Sequence, residues 1–262
     1  MFDAHAHLQD TRLSGNREVV LRRAAETGVT GVCCCATSPA DWDAVAAFIR
    51  DPTPFVVVPA FGVHPWYAEN LPADWLERLN RTLDAHPAAA LGEVGLDGIR
   101  KSIPFEVQRQ CLVSQLELAA CHRIPVVLHG ARAWEPLLET IRPFREKIPG
   151  FLIHGFSGSP DQMRRFLDLG AAISIAGSVC NPQAKKIRAA AKELPDSQLL
   201  IETDSPDLFP VGGTSLPGTP AGKPVNHPAN LRQVLETVAA LRDATPDAIA
   251  DLTGANARRI LL

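Results

Sequence analysis

Phe2-Asp3-Ala4-His5-Ala6-His7-Leu8 opens the chain as a short apolar run ending in two histidines spaced two apart. In a strand, successive side chains point to opposite faces, so His5 and His7 share one face. Seven further short runs rich in β-branched or apolar residues follow, at 31–36, 55–61, 88–94, 126–129, 151–154, 171–175 and 199–203; with 1–5 they make eight strands. Longer amphipathic segments separate them. Val107, Cys111, Leu112, Leu116 and Ala119 fall on one helical face, and Leu231, Val234, Leu235 and Val238 repeat at helical spacing in what reads as the last long helix. Ser38-Pro39, Ser159-Pro160 and Asn181-Pro182 read as helix starts. Strict β-then-α alternation predicts a parallel sheet, and eight units predict closure into a single (β/α)8 TIM-like barrel. An open doubly wound sheet is the other arrangement that the alternation permits.

The length of 262 residues suits one such barrel, so residues 1–262 are expected to form a single domain. With 46% hydrophobic and 21% charged residues, the chain can fill a large core, and global disorder is excluded. A formal charge of -3 excludes a basic coat of the kind that wraps long nucleic acid. The start of the chain does not resemble a secretory signal, and no apolar run reaches the ~20 residues of a membrane span, so a cytoplasmic protein without membrane attachment is expected. The six cysteines include Cys33-Cys34-Cys35, whose side chains alternate faces and do not read as a disulfide framework. Cys111, Cys121 and Cys180 read as small buried hydrophobes. The irregular stretch 206–227, rich in Gly and Pro, follows the last strand, where active-site loops of barrels lie.

Position gives the polar residues their meaning. His5 and His7 end the first strand, Glu93 the fourth, His129 the fifth and His154 the sixth, while Asp204 lies just beyond the eighth. A barrel brings those ends to one mouth. Each residue alone reads as a hydrogen-bonded histidine, a cap or a salt-bridge partner; six at one rim read as a metal site. Mixed imidazole and carboxylate donors suit zinc, manganese or iron, or magnesium with more water. Six donors exceed one closed tetrahedral site and fit two ions sharing a carboxylate, which points to hydrolysis.

At these residues the sequence resembles the TatD family of metal-dependent hydrolases, within the amidohydrolase superfamily. The resemblance runs end to end, through Asp3-Ala4-His5-Ala6-His7-Leu8, Gly62-Val63-His64-Pro65, Gly92-Glu93-Val94-Gly95-Leu96-Asp97, His154-Gly155-Phe156-Ser157-Gly158, Glu202-Thr203-Asp204-Ser205-Pro206 and Thr253-Gly254-Ala255-Asn256-Ala257-Arg258. It implies a deoxyribonuclease-like phosphodiesterase with two divalent ions (zinc, magnesium or manganese) and DNA or a short nucleic acid as substrate, with no obligate protein partner. It implies that His5, His7 and Asp204 hold the first ion, that His129 and His154 hold the second, and that Glu93 bridges them. Asp204 is also the expected general base.

Other roles follow from position. His64 is a candidate for touching a phosphate oxygen, with a structural histidine beside Pro65 as the alternative. Glu202 is expected to orient a ligand histidine, and Arg132 to clamp phosphate in place of making a surface salt bridge. Trp66 reads first as a packing residue, like Trp42, Trp75 and Trp134, and second as a base-stacking surface. His86 and His122 read as helix-end residues. Three departures from the family pattern, Asn226-His227-Pro228 in place of Asn-Glu-Pro, Gly98 after Asp97, and Arg132 one place late, are expected near the substrate side. Hydrolysis of a small amide, cyclic imide or lactone is the competing enzyme reading; the absence of a lysine where Glu93 stands favours the phosphodiesterase. A barrel that binds metal or nucleotide without turnover is the non-enzyme reading.

Overall fold

The structure is a computed structural model that describes residues 1–216 and 224–262. All eight expected strands are present: β1 (Phe2–Ala6), β2 (Gly31–Cys35), β3 (Val56–Phe61), β4 (Ala90–Gly95), β5 (Val126–His129), β6 (Phe151–Ile153), β7 (Ala172–Ile175) and β8 (Leu199–Ile201). Every pairing is parallel, in the order β1-β2-β3-β4-β5-β6-β7-β8. The seam between first and last strands is closed by backbone bonds: Asp204 N–H donates to His5 O at 3.0 Å and His7 N–H to Ser205 O at 2.7 Å. The barrel is therefore the fold, and the open sheet is not.

Strand ends differ from the sequence expectation by a residue or two because hydrogen-bond pairing stops where the chain turns to serve the mouth. Thr203, expected inside the last strand, gives its N–H to the Asp3 carboxylate and not to a neighbouring strand. The helices are α1 (Thr11–Ser14), α2 (Arg17–Glu26), α3 (Trp42–Arg50), α4 (Trp75–Ala85), α5 (Phe105–His122), α6 (Trp134–Ile141), α7 (Pro160–Asp168), α8 (Lys185–Glu193), α9 (Leu231–Leu241) and α10 (Pro246–Leu261). Ser159 starts α7 with a capping box closed by Gln162. Ser38-Pro39 and Asn181-Pro182 start turns instead: Asp41 accepts from the N–H groups of Thr37 and Ser38 before α3, and Asn181 Oδ1 accepts from Gln183 N–H before α8. Nor is α9 the last long helix, since α10 follows it. Thr245 caps α10 through Ala248 N–H, a short-range signal that the apolar spacing alone did not carry.

Alternation divides the strands between two cores. Cys33 and Cys35 join Phe2, Val58, Val127, Leu152 and Leu200 in the barrel interior, closed by Ala257 and Leu261 of α10. Val32 and Cys34 face the helical layer with Leu91, Leu128 and Ile153. All six cysteines are unpaired, but Cys121 is exposed, because it lies on the outer face of the last turn of α5. Among the described residues, no helix is long and apolar enough to cross a membrane. Of the irregular stretch 206–227, residues 217–223 lie outside the described residues.

The seam depends on Asp3. Its carboxylate is fully buried and accepts from Thr203 N–H at 2.9 Å and from the Thr203 hydroxyl at 2.6 Å. Asp3→Ala takes the acceptor from the buried Thr203 N–H and leaves the Thr203 hydroxyl only Ser205 Oγ, 3.1 Å away, and is expected to destabilise the fold by about 1–3 kcal/mol. Asp3→Asn, which keeps an acceptor for the N–H, is expected to lose less. Urea denaturation of the three proteins measures the order; equal midpoints would show that the seam does not depend on this carboxylate.

Candidate metal centre

Each histidine at the mouth is anchored by one ring nitrogen and directs the other inward. His7 Nδ1 lies 2.8 Å from the Cys35 carbonyl, which only accepts, so Nδ1 carries a proton and Nε2 is the nitrogen turned inward. By the same logic His129 Nε2 donates to Asp97 Oδ2 at 3.1 Å, and His154 Nδ1 faces Glu202 Oε1 at 3.4 Å. The remaining nitrogens converge on Glu93, which is 2% exposed.

The two oxygens of Glu93 face two sets of donors. Oε2 lies 3.3 Å from both His5 Nε2 and His7 Nε2. Asp204 Oδ1 completes that set, 3.4 and 3.6 Å from the same nitrogens. Oε1 lies 2.9 Å from both His129 Nδ1 and His154 Nε2. Within the sets the nitrogens approach one another, His5 to His7 at 3.2 Å and His129 to His154 at 3.1 Å. Bare imidazole nitrogens repel at such distances unless a proton or cation lies between them. Four donors at about 2.1 Å from one tetrahedral ion stand about 3.4 Å apart, which is the spacing of the first set. The residues present therefore fit divalent metal. Donor atoms within 4.8 Å of one another also group His5 with His154 and Asp204, and His64 with Glu93 and His129.

The electrostatics agree. Burial raises the cost of charge on Glu93, yet the facing histidines, His154 first, hold its carboxyl well below the usual range. Asp204 is likewise lowered against burial, mainly by His7. In return, Asp204 and Glu93 outweigh burial and raise His7 well above an ordinary imidazole, and Glu93 with Glu202 does the same for His154. Two ionised carboxylates thus draw positive charge to the centre.

The loops that carry these groups are held by residues without metal-ligand spacing. Gln108 and Gln115 lie two turns apart on the buried face of α5. Gln115 clamps Val63, next to His64, accepting from its N–H at 2.7 Å and donating to its carbonyl at 3.2 Å; Gln108 clamps Asp97 in the same way, at 2.8 and 3.2 Å. Gly95, at φ 151, lets β4 approach β5 beside His129: a Cβ there would stand 2.0 Å from the His129 carbonyl oxygen. Asp97 is buried, and its Oδ2 accepts from both His129 Nε2–H and, at 2.7 Å, Trp66 Nε1–H. Its partners lie on the neighbouring strands' ends, Trp66 after β3 and His129 at the end of β5, a relation the motif Gly92–Asp97 does not show by itself.

The other expected site residues separate. Glu202 is fully buried and reaches both His154 and the Gly155 N–H, the latter at 2.6 Å. His64 lies beyond β3, not at its end, capping the short helix Pro65–Tyr67; its Nδ1 accepts from Trp66 N–H, so its Nε2–H points to Glu93 Oε1 at 3.4 Å. Burial lowers His64 to about 4, so it enters neutral pH as an uncharged donor. The cavity over the cluster, of about 460 Å³, is lined by His64 and Trp66 but not by Arg132, which is exposed in a turn at φ 49. Trp66 is 42% exposed and so is not the packing residue that its three counterparts resemble. Two of the family departures prove to be one contact: a Cβ at Gly98 would stand 2.6 Å from the Arg132 carbonyl oxygen, and Gly98 N–H donates to Ala131 O. The third, His227, is 1% exposed beside Thr214 and does not line the cavity, contrary to its expected place on the substrate side. Its neighbour Asn226 ties the loop after β8, donating to the carbonyls of Thr203 and Asp207.

Donors of this kind, gathered at the C-terminal mouth of a (β/α)8 barrel, define a class, the metal-dependent hydrolases. Within that class the chain belongs to the TatD family: the family model described as TatD related DNase matches residues 2–262. The metal-dependent hydrolase YjjV of Escherichia coli K12, itself uncharacterized, is 35% identical over 251 residues, covering 95% of this chain and 92% of its own. The 3'-5' ssDNA/RNA exonuclease TatD of Yersinia pseudotuberculosis is 34% identical over 262 residues, covering 99% and 98%. The crystal structure of YjjV superposes with a TM-score of 0.88 at 34% identity, covering 99% of this chain and 97% of that one. A TatD-family hydrolase from Entamoeba histolytica reaches the same TM-score at 21% identity, a likeness of fold.

Because Asp97 sets the orientation of His129, Asp97→Ala is expected to weaken zinc binding by roughly 10- to 100-fold. Equilibrium dialysis of zinc against wild type and variant measures this. Unchanged affinity would mean that His129 is positioned by packing alone.

Proposed function

We propose that the protein is a metal-dependent nuclease that hydrolyses phosphodiester bonds near the ends of single-stranded DNA or RNA, with residues 1–262 acting as one barrel domain. The observation that carries this reading is Glu93, one oxygen turned to His5 and His7, which Asp204 also faces, and the other to His129 and His154. These six residues would hold two divalent ions with Glu93 between them, and four imidazoles favour zinc over manganese or magnesium. Bound there, divalent ions supply Lewis acidity and a hydroxide nucleophile near neutral pH. Nucleic acid is supported by the exonuclease relatives, and short or terminal substrates by the sparse basic surface.

The chain's own groups divide the remaining work. Asp204 has its carboxyl held below the usual range, mainly by His7, and lines the cavity, so it is placed to accept the proton lost as water attacks. His64 lines the same cavity as an uncharged imidazole, and its Nε2–H, 3.4 Å from Glu93 Oε1, is placed to be shared with a phosphate oxygen. Glu202 and Asp97 keep His154 and His129 in register. Arg12 lines the cavity too, but its guanidinium is paired on both sides, with Asp10 and Asp207 at 2.8–2.9 Å, and offers little to phosphate. The six cysteines, without the spacing of a disulfide framework, support a reducing, cytoplasmic setting.

Two outcomes are expected. With a 3'-labelled and a 5'-labelled single-stranded oligonucleotide and added zinc, manganese or magnesium, wild type shortens the strand, while Asp204→Asn loses roughly 10²–10⁴-fold in kcat. No cleavage by folded, metal-loaded protein would sink the nuclease reading. Removing metal with EDTA is expected to lower Tm as well as activity, because ions that bind only the folded state stabilise it. Differential scanning calorimetry with and without chelator reads this, and an unchanged Tm would count against a bound pair.

A further inference from the structure

Trp66 and Tyr67 stand between two cavities. One is the cavity of about 460 Å³ over Glu93; the other, of about 500 Å³, is walled by Leu71 and Arg78, and both aromatic residues line both. Each volume is within the range that holds a small ligand, roughly 300–1,000 Å³.

The setting of Trp66 inverts that of an ordinary surface tryptophan. Its polar N–H is turned inward, donating to the buried Asp97 carboxylate at 2.7 Å. Its indole is met edge-on by His64, with ring centres 5.0 Å apart, and Arg100 lies 5.4 Å from the ring centre. Trp66 as a residue remains 42% exposed, and Tyr67 45%. A flat apolar surface held by a charge-assisted hydrogen bond loses little freedom when something stacks on it. Further exposed apolar side chains, Ile99 after β4 with Leu208 and Val211 after β8, lie on the loops at the same end of the barrel. The floor of the first cavity is charged, and Trp66, Tyr67 and Leu208 give one part of its wall an apolar face.

The second cavity carries a cation suited to backbone phosphate. Arg78 lies over the Trp42 ring at 5.9 Å, and among the described residues its guanidinium has no carboxylate partner, although Glu69 lines the same cavity. Arg12, by contrast, is neutralised by two aspartates.

The geometry points to Trp66 and Tyr67 as a stacking ridge that a single-stranded polynucleotide crosses. The base beside the scissile phosphate lies on Trp66, and the adjoining nucleotide occupies the second cavity toward Arg78. This rests on the nuclease reading above and adds the strand's path to it. A duplex end does not fit without melting, because its bases are already stacked and paired, and extracting one costs a few kcal/mol.

The test compares zinc-loaded wild type with Trp66→Ala and Trp66→Phe. The substrates are an oligothymidylate and the same oligomer with an abasic terminal nucleotide. Fluorescence anisotropy with phosphorothioate strands, which resist hydrolysis, gives Kd, and cleavage of ordinary strands gives kcat and KM. Wild type is expected to prefer the base-bearing end by roughly 5- to 150-fold, the equivalent of one stacked base. Trp66→Ala should abolish the preference, through Kd and KM more than kcat, and Trp66→Phe should retain most of it. Trp66→Leu, which keeps apolar bulk without an aromatic face, decides the same question if the alanine variant does not fold. Strands that are cleaved without a base preference, or a preference that survives Trp66→Ala, would overturn the ridge and leave the nuclease reading standing. If wild type cleaves no oligonucleotide, both readings fall together.

Discussion

A carboxylate buried as deeply as Glu93 loses several kcal/mol of hydration unless opposite charge and hydrogen-bond donors face it. Here it is met on one oxygen by His5 and His7 and on the other by His129 and His154. The histidines cannot satisfy it alone, since their own inward nitrogens crowd one another. Positive charge would complete the cluster, and the rest of the mouth is arranged around that demand. Asp204 faces the same nitrogens, and the outer carboxylates Asp97 and Glu202 hold imidazole rings in the tautomer that leaves a lone pair inward.

Such a cluster needs a rigid frame, because a rotated imidazole presents a proton where a lone pair is required. The frame is built from backbone contacts. The β1–β8 seam, closed by Asp3 and Thr203, fixes His5 and His7 against Asp204. Close approach of β4 to β5 at Gly95 fixes Glu93 against His129. The paired amides of Gln108 and Gln115 extend the order of the barrel into the loops after β3 and β4, where the backbone has no strand partner. Trp66 is tied to this frame through Asp97, so the wall of the cavity and His129 share one hydrogen-bond acceptor.

The eight strands were legible because parallel barrel strands are continuous apolar runs bounded by amphipathic helices, and the fold follows from their count and alternation. The His, Glu and Asp residues at the mouth were legible for a related reason: polar groups that end apolar strands stand out against them. Arg132 was less legible. It follows His129 closely in sequence, yet the turn aims it to solvent, since the loop after β4 occupies the space beneath it at Gly98. His227 misled in the same way, because proximity to a motif says nothing about which side of a loop is buried.

By itself the sequence determined the order of strands and helices, the face shared by His5 and His7, and the types of donor at the strand ends. Those properties depend on local periodicity and side-chain chemistry, which are written residue by residue. Only the tertiary structure decided which nitrogen of each histidine turns inward, that the two oxygens of Glu93 serve different partners, and that Asp97 joins Trp66 to His129. It also decided that the Trp66 ring lies open while Trp42 and Trp134 are buried. Each of these is a relation between groups on different strands, and distances across a closed barrel depend on shear, loop packing and burial that no single segment encodes.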